Sequence, residues 1–431
     1  MKTVVLIDTN HGGHHVTYMR FLAKSLLEMD CRVVVLYPQP REIRWWIKEH
    51  SPQRATHLFA RSMQELQSRQ IPIYGKLPRS MPVFKRPPQF VAAMARWQYA
   101  ASRVRQACQA LAVVPDLVFF NWLDNYFSYY LPPLLLDIIF PYKWSGIYFR
   151  PGEFRFGDRT FPIFNFPLYH ELVARSGRCQ ALAILNEDRV ASLQEKIGNP
   201  VLSFPDFTDE APPDFTYSIA QEIKKQAGDR KIIGIIGSMS KRKGMVTLLE
   251  VAQKSLGEDW FFVFAGHFSQ KAFHQDFRHK QNEDYYRILD ILKNGLPNCY
   301  FHFDYIPDEP QFNALINTCD ILFAAYENFP YSSNLLAKAA AFEKPIVVSQ
   351  GYCMGNRVET FEMGATIEEG NVEQCKEALH FLCQQLESDT PKLRFDFAGY
   401  RNCHSVAKLD RIFQTILSQK TTREVSQPLA L

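Results

Sequence analysis

Several things are missing from this sequence, and each absence removes a class of function. No run of about eighteen apolar residues occurs, so no segment reads as a membrane-spanning helix. The nearest approach, "LPPLLLDIIF" from Leu131, is spoiled by its prolines and by Asp137. The opening "MKTVVLIDTN" holds too short an apolar run for a signal peptide. The nine cysteines include no CxxC pair and match no zinc or disulfide framework, so they read as reduced thiols of a cytosolic protein. Neither charge sign dominates. A net charge of +4 admits an anionic partner but is too small to indicate nucleic acid, and no basic tail is present. The spacing G-x-G-x-x-G of a dinucleotide fingerprint is also missing: "NHGGHH" follows the first strand without it, which argues against a nicotinamide-dependent oxidoreductase.

What remains is a soluble α/β composition, 46% hydrophobic and 22% charged, over 431 residues, enough for two domains. "TVVLID" is a continuous apolar run suited to a parallel strand buried on both faces. The helix "VTYMRFLAKSLLEM" and the strand "CRVVVLYP" complete a βαβ unit. "DLVFFNW", "WSGIYFR" and "ALAILNE" are further strands. "PVLSFPDFTDEAPPDF", rich in proline and acids, reads as an interdomain linker. The alternation then restarts with "KIIGIIGS" and runs through "WFFVFAG", "DILFAAY" and "KPIVVS", each followed by helical pattern. The expectation is two Rossmann-like, doubly wound α/β domains facing a central cleft. Their boundaries are residues 1–205, a linker over 206–212, a second domain over 213–400, and a final helix and tail over 401–431.

The segment "IIGIIGSMSKRKGMVTLL" carries the chemistry. A buried strand leads into small residues Gly237 and Ser238, then three cations, then a helix starting near Gly244. A helix N-terminus repels cations and attracts anions. Lys241, Arg242 and Lys243 therefore sit in solvent or hold an anion such as phosphate. "YENFPYSSNLLAK" repeats the logic, with Ser332, Ser333 and Asn334 as N-cap residues and Glu327 just past a strand. His11, His14 and His15 cluster, but no acid or cysteine follows at ligand spacing, so no metal site is expected. The tryptophans and cations of "REIRWWIKEH" and "VFKRPPQFVAAMARWQYAASRVR" leave two readings open: core packing, or an interfacial patch on an anionic membrane surface. Arg150, Arg155 and Arg159 either meet an anionic acceptor or pair with Glu153 and Asp158.

"GSMSKRKG" resembles the G-x-x-x-x-x-K-G donor-phosphate segment of GT-B glycosyltransferases of the family 4 type. "PYSSNLLAKAAAFEKPIVVSQGYCMGNRV", "LIDTNHGGHHVTYMRFLAKSLLE" and "SFPDFTD" are similar, in order, to the helix–strand segment under the sugar nucleotide, the N-terminal glycine loop, and the close of the first domain. The resemblance implies transfer of a sugar from a nucleotide-diphosphate sugar to a sugar, lipid-linked or small-molecule acceptor. It implies retention of configuration, and neither metal nor cofactor. Lys243 would bind the diphosphate and stabilise the leaving group, with Gly237, Ser238, Arg242, Ser332, Ser333 and Asn334 around the donor. Gly12 and Gly13 would let the first loop approach the donor, with His14 as a contact. Asn121 and Arg150 would lie on the acceptor side. Ser238 stands where many relatives carry arginine, and Lys241 or Arg242 would compensate. Glu327 matches the first acid of the E-x7-E pattern. The second is absent, its place falling on Leu335 or Lys338. That departure keeps a second expectation alive, a non-catalytic nucleotide-sugar or glycan binder on the same scaffold; an epimerase of this form has less support. The chain is expected in the cytoplasm, with at most weak contact to a membrane surface.

Overall fold

The computed structural model describes residues 1–65, 87–128, 131–151, 159–161, 166–168, 170–269 and 283–419. The chain divides into two compact units. The first is Met1–Pro205 with the chain from Ser405 onward, and the second is Asp206–His404.

In the first unit the strands are β1 (Thr3–Ile7), β2 (Arg32–Tyr37), β3 (Leu58–Ser62), β4 (Leu117–Phe120), β5 (Trp144–Ile147), β6 (Arg159–Phe161), β7 (Phe166–Leu168), β8 (Cys179–Ile184) and β9 (Val201–Ser203). Seven of them form one parallel sheet in the order β3-β2-β1-β4-β5-β8-β9, while β6 and β7 pair antiparallel. The apolar run of β1 is buried along its whole length, as a strand covered on both faces requires. Helix His14–Glu28 lays Tyr18, Leu22 and Leu26 onto this sheet. Trp97, from helix Pro87–Ala110, is fully buried among Phe120, Tyr126, Phe140 and Trp144, and its Nε1 donates to the Tyr126 carbonyl at 2.9 Å. Trp46 is likewise in the core, packed on Phe21 and His50, whereas its neighbour Trp45 is exposed. Two of the three tryptophans in the cation-rich segments thus serve packing. Residues 83–86 of that stretch, with Glu153, Arg155 and Asp158, lie outside the described residues, as does the side chain of Arg159.

The final helix, Lys408–Ser418, belongs to the first unit. Phe413 meets Phe119 edge to face at 5.1 Å, and Asp410 accepts from Ser25 Oγ at 2.6 Å.

The second unit carries β10 (Lys231–Ile236), β11 (Trp260–Ala265), β12 (Cys299–His302), β13 (Ile321–Ala324), β14 (Ile346–Ser349) and β15 (Gly364–Ile367). All are parallel, in the order β12-β11-β10-β13-β14-β15. Both sheets therefore repeat one plan, in which the order reverses beside the unit's first strand. The proline-rich stretch after β9, expected as an interdomain linker, packs into the second unit from Asp206 onward. Asp206, Phe207, Thr208 and Asp209 are buried, because their polar groups are bonded inside the second unit. The cysteines are free thiols: six are buried, Cys299 and Cys383 are half-buried, and Cys403 is exposed. Burial pushes the thiols of Cys299, Cys319 and Cys375 up to about 12. No described helix is long and apolar enough to cross a membrane.

Candidate functional site

In a doubly wound sheet, ligands bind past the carboxyl ends of the strands where the order reverses. For the second unit that point lies between β10 and β13. β10 runs into Gly237, whose φ of 109° is open to glycine alone among common residues. Met239 then bridges to Phe268, and Lys241–Lys243 form a single 3₁₀ turn. Gly244, at φ 76°, ends the turn and precedes helix Met245–Lys254. A Cβ at Gly244 would stand 2.4 Å from the Ala325 carbonyl oxygen, so glycine is what lets the loop close on the end of β13. The Glu327 amide locks the two together by donating to the Arg242 carbonyl at 2.7 Å.

Two cations rest on aromatic faces there. The Arg242 guanidinium lies 4.7 Å from the Phe329 ring centre and 5.9 Å from that of Tyr326. The Lys243 ammonium lies 5.5 Å from the Tyr326 ring. Such contacts contribute about 0.5–2 kcal/mol each and hold the cations in place. The Tyr326 hydroxyl is 3.2 Å from Ser333 Oγ. Lys243 and the Ser332–Asn334 turn thus share one tyrosine ring.

Ser333 caps helix Asn334–Ala341, accepting from the Leu335 amide at 3.4 Å. The side chains beside it also bond elsewhere. Ser332 Oγ donates to Asp206 and accepts from Arg357 at 2.8 Å, and Asn334 Oδ1 accepts from Thr208 Oγ1 at 2.9 Å. The Leu335 and Leu336 amides are bonded to Ser333, so the polar groups this turn offers an anion are the Asn334 Nδ2 donor and the backbone amides ahead of Leu335.

Lys338, on the same helix, is 2% exposed. Its ammonium donates to the Asp209 carbonyl (2.6 Å), Asn313 Oδ1 (2.6 Å) and Glu309 Oε2 (2.8 Å). Where the E-x7-E pattern aligned from "KP" places its second acid, the chain thus has a buried cation surrounded by acceptors. Its place in "NLLAKAAA", a helix with apolar residues on every side, was the available sequence signal. The Asp206–Arg357 pair had none, since its members are 151 residues apart.

The first unit's reversal point, between β1 and β4, is polar in another way. Asp8, 2% exposed, accepts from His15 Nδ1 at 2.8 Å, from Asn121 Nδ2, and from the Asn10 amide at 2.9 Å. Asn121 Nδ2 also reaches the His15 carbonyl at 3.3 Å, which fixes the orientation of the amide. His15, rather than His14, turns inward; His14 is exposed on the first turn of its helix. His11 goes to Glu42 at 3.3 Å. Among the described residues, no group of three His, Cys, Asp or Glu is arranged to hold a metal ion. Gly12 and Gly13 both have positive φ, and a Cβ on either would meet nothing within 4 Å, so this loop is open where the Gly244 loop is tight. Trp122 stacks on Phe149 at 4.2 Å and touches His15 at 4.7 Å, and the exposed Arg150 guanidinium lies 5.9 Å from its ring centre. Asp124 accepts from the Phe149 and Arg150 amides at 3.1 and 2.9 Å. Burial pushes its carboxyl up to about 6, and those bonds with the Arg150 charge offset only part of that effect. Asp8, Trp122 and Asp124 did not stand out in the sequence, and His15 stood out only as one of three clustered histidines, because only the sheet brings β1, β4 and β5 side by side.

Residues 218–394, nearly the whole second unit, match the family Glycosyl transferases group 1. The second unit belongs to the group 1 glycosyl transferases. Solved structures extend the likeness over the full chain. A glycosyltransferase from Rickettsia africae is 14% identical with a TM-score of 0.61, covering 97% of this chain and 99% of its own. The Anabaena protein HepE, solved with UDP and glucose, is 13% identical with a TM-score of 0.59 over the same shares. An α,α-trehalose-phosphate synthase (UDP-forming) from Burkholderia vietnamiensis is 12% identical with a TM-score of 0.63, covering 96% of this chain and 97% of its own. At these identities the likeness shows the fold, GT-B. No curated protein matches the sequence.

Proposed function

We propose that this group 1 protein transfers a sugar from a nucleotide-diphosphate sugar to an acceptor hydroxyl. The observation that carries the reading is the pair Arg242 and Lys243, held over Phe329 and Tyr326 beside the start of helix Asn334–Ala341, at the reversal point of the second sheet. A departing diphosphate gathers negative charge as the glycosidic bond breaks. Preorganised cations and backbone amides stabilise that charge more than they stabilise the ground state, by about 3 kcal/mol per donor. Lys243 is assigned to the leaving group, Arg242 to the charge that Ser238 does not supply, and Gly237 to close backbone approach. Glu327, the first acid of the E-x7-E pattern, is assigned with Lys243 to catalysis. The protein's own cations take the neutralising role, with no metal or cofactor assigned.

HepE was solved with UDP and glucose, which makes UDP-sugars the first donors to test. The acceptor, a sugar, lipid-linked or small-molecule alcohol, is assigned to the first unit's reversal point, with Asn121 and Arg150 among its contacts. Gly12, Gly13 and His14 are assigned to the loop that meets the donor. Retention of configuration rests on the resemblance to family 4, and the anomeric form of the product tests it. A cytoplasmic location with weak membrane-surface contact is proposed on the same footing.

One observation favours the alternative of a non-catalytic nucleotide-sugar binder: Lys338 stands where a second acid was expected. A thermal-shift panel of UDP-, GDP-, ADP- and CMP-sugars, followed by product analysis, separates the readings. The transferase reading expects a selective rise with one donor, product formation, and loss of both in Lys243→Ala. A rise without turnover across acceptors supports the binder. No rise with any donor removes both.

A further inference from the structure

The buried pair beneath the Ser332–Asn334 turn has a position that packing alone does not require. Arg357 and Asp206 are each 2% exposed, with Nη1 3.2 Å from Oδ2. Taking both charges out of water costs about as much as their attraction returns, and an apolar pair would serve stability equally well. What a buried pair does provide is a single geometry. Here that geometry includes the hydroxyl of Ser332, whose proton is directed to Asp206 and whose lone pair faces Arg357. The backbone of the turn is pinned from below, and the planar, permanently charged guanidinium cannot swing or titrate away.

Asp206 is also the first residue of the second unit. Its amide donates at 3.2 Å to Nδ1 of His404, the last residue of that unit. The two points at which the chain passes between units are thus joined by one hydrogen bond, and the side chain of the same aspartate reaches the turn above it.

We propose that Asp206 and Arg357 are positioning residues for diphosphate binding. They set the Ser332–Asn334 turn to receive phosphate oxygens, and they pass its occupancy to the Asp206–His404 crossing. The proposal rests on the reading that this turn holds the donor's diphosphate.

The test uses the full chain and two probes, UDP and inorganic pyrophosphate. Wild type, Ser332→Ala, Arg357→Met and Arg357→Lys are compared by calorimetric titration and by hydrogen exchange at residues 206–209 and 401–404. The expected result is about tenfold weaker binding of both probes in Arg357→Met, with partial recovery in Arg357→Lys. UDP should slow exchange at the crossing in wild type and fail to do so in Ser332→Ala. Should a donor be turned over, its KM should rise in Ser332→Ala more than kcat falls. If Arg357→Met does not fold, Ser332→Ala decides, since it removes one half-buried hydroxyl and leaves the pair in place. Wild-type binding that persists unchanged in Ser332→Ala, or exchange at the crossing that ignores UDP in wild type, overturns this proposal alone. A folded wild type that binds neither probe overturns the phosphate reading and this proposal with it.

Discussion

The two units share a strand order and differ in the charge at its reversal point. In the first, the strand end carries a buried carboxylate, Asp8, that spends its lone pairs on His15, Asn121 and Asn10. In the second, the equivalent end carries three consecutive cations, two of them resting on aromatic rings. The backbone plan says where a ligand docks, and the turn after the strand says what charge that ligand has. Two copies of one topology thus present different charge at the same point, and the proposed transfer assigns the anion to one end and the hydroxyl groups to the other. Loop closure differs in the same way: Gly244 has no room for a methyl group, whereas Gly12 and Gly13 are unobstructed.

The sharpest way to break this contrast is to put a carboxylate into the second unit. Lys338→Glu would bury an anion against the Asp209 carbonyl, Asn313 Oδ1 and Glu309, all acceptors. The expected cost is about 3–5 kcal/mol or more. It should appear as a lowered melting transition of the second unit with no gain in transfer; higher activity would mean that the resemblance had placed the acid correctly. Next in size, Lys243→Ala should reduce transfer by about a hundred- to a thousandfold with melting unchanged, read as kcat on the donor found in the panel. An unchanged rate would detach the cations from catalysis.

A smaller effect sharpens the loop contrast. Gly244→Ala, with positive φ and a carbonyl in the way, should cost about 2 kcal/mol in thermal unfolding and weaken nucleotide binding. Gly12→Ala, equally left-handed but in open space, should cost about 1 kcal/mol. Equal losses would deny the difference in closure. The smallest effect belongs to Asp124. Its folded-state value, about 6, lies above the ordinary aspartate range. Its stabilising contribution is thus complete below about pH 4 and disappears as pH rises through about 6. Asp124→Asn relieves about 3 kcal/mol at pH 7.5, for a carboxyl raised from 3.8 to about 6, and loses one amide acceptor worth about 2 kcal/mol at every pH. First-unit stability should therefore rise by about 1 kcal/mol at pH 7.5 and fall near pH 4, measured by melting across that range. A pH-independent difference would contradict the burial argument.

Much of the fold was readable from local pattern. The apolar runs "TVVLI" and "KIIGII" and their following helices appear where periodicity places them. The chemistry of the "SKRKG" turn was equally readable, since cations, glycine and helix start lie within five residues. Readings failed to specify partners wherever those partners lay far along the chain. "PVLSFPDFTDEAPPDF" reads as linker for its prolines and acids, yet Asp206 and the Asp209 carbonyl are bound by residues more than a hundred positions away. Ser332 and Asn334 are expected beside the donor, and their side chains also hold that same segment.

The sequence by itself determined the two parallel sheets, the places where their strands end, and the cationic turn after β10. Each of these depends on neighbours a few residues apart, through side-chain alternation, backbone freedom and helix dipoles. Only the tertiary structure decided that His15 rather than His14 meets Asp8, that Lys338 is a buried clamp, and that Asp206 joins the chain crossing to the Ser332 turn. Those outcomes depend on which charges the folded chain withdraws from water, and a withdrawn charge takes whatever partner the packing brings within reach.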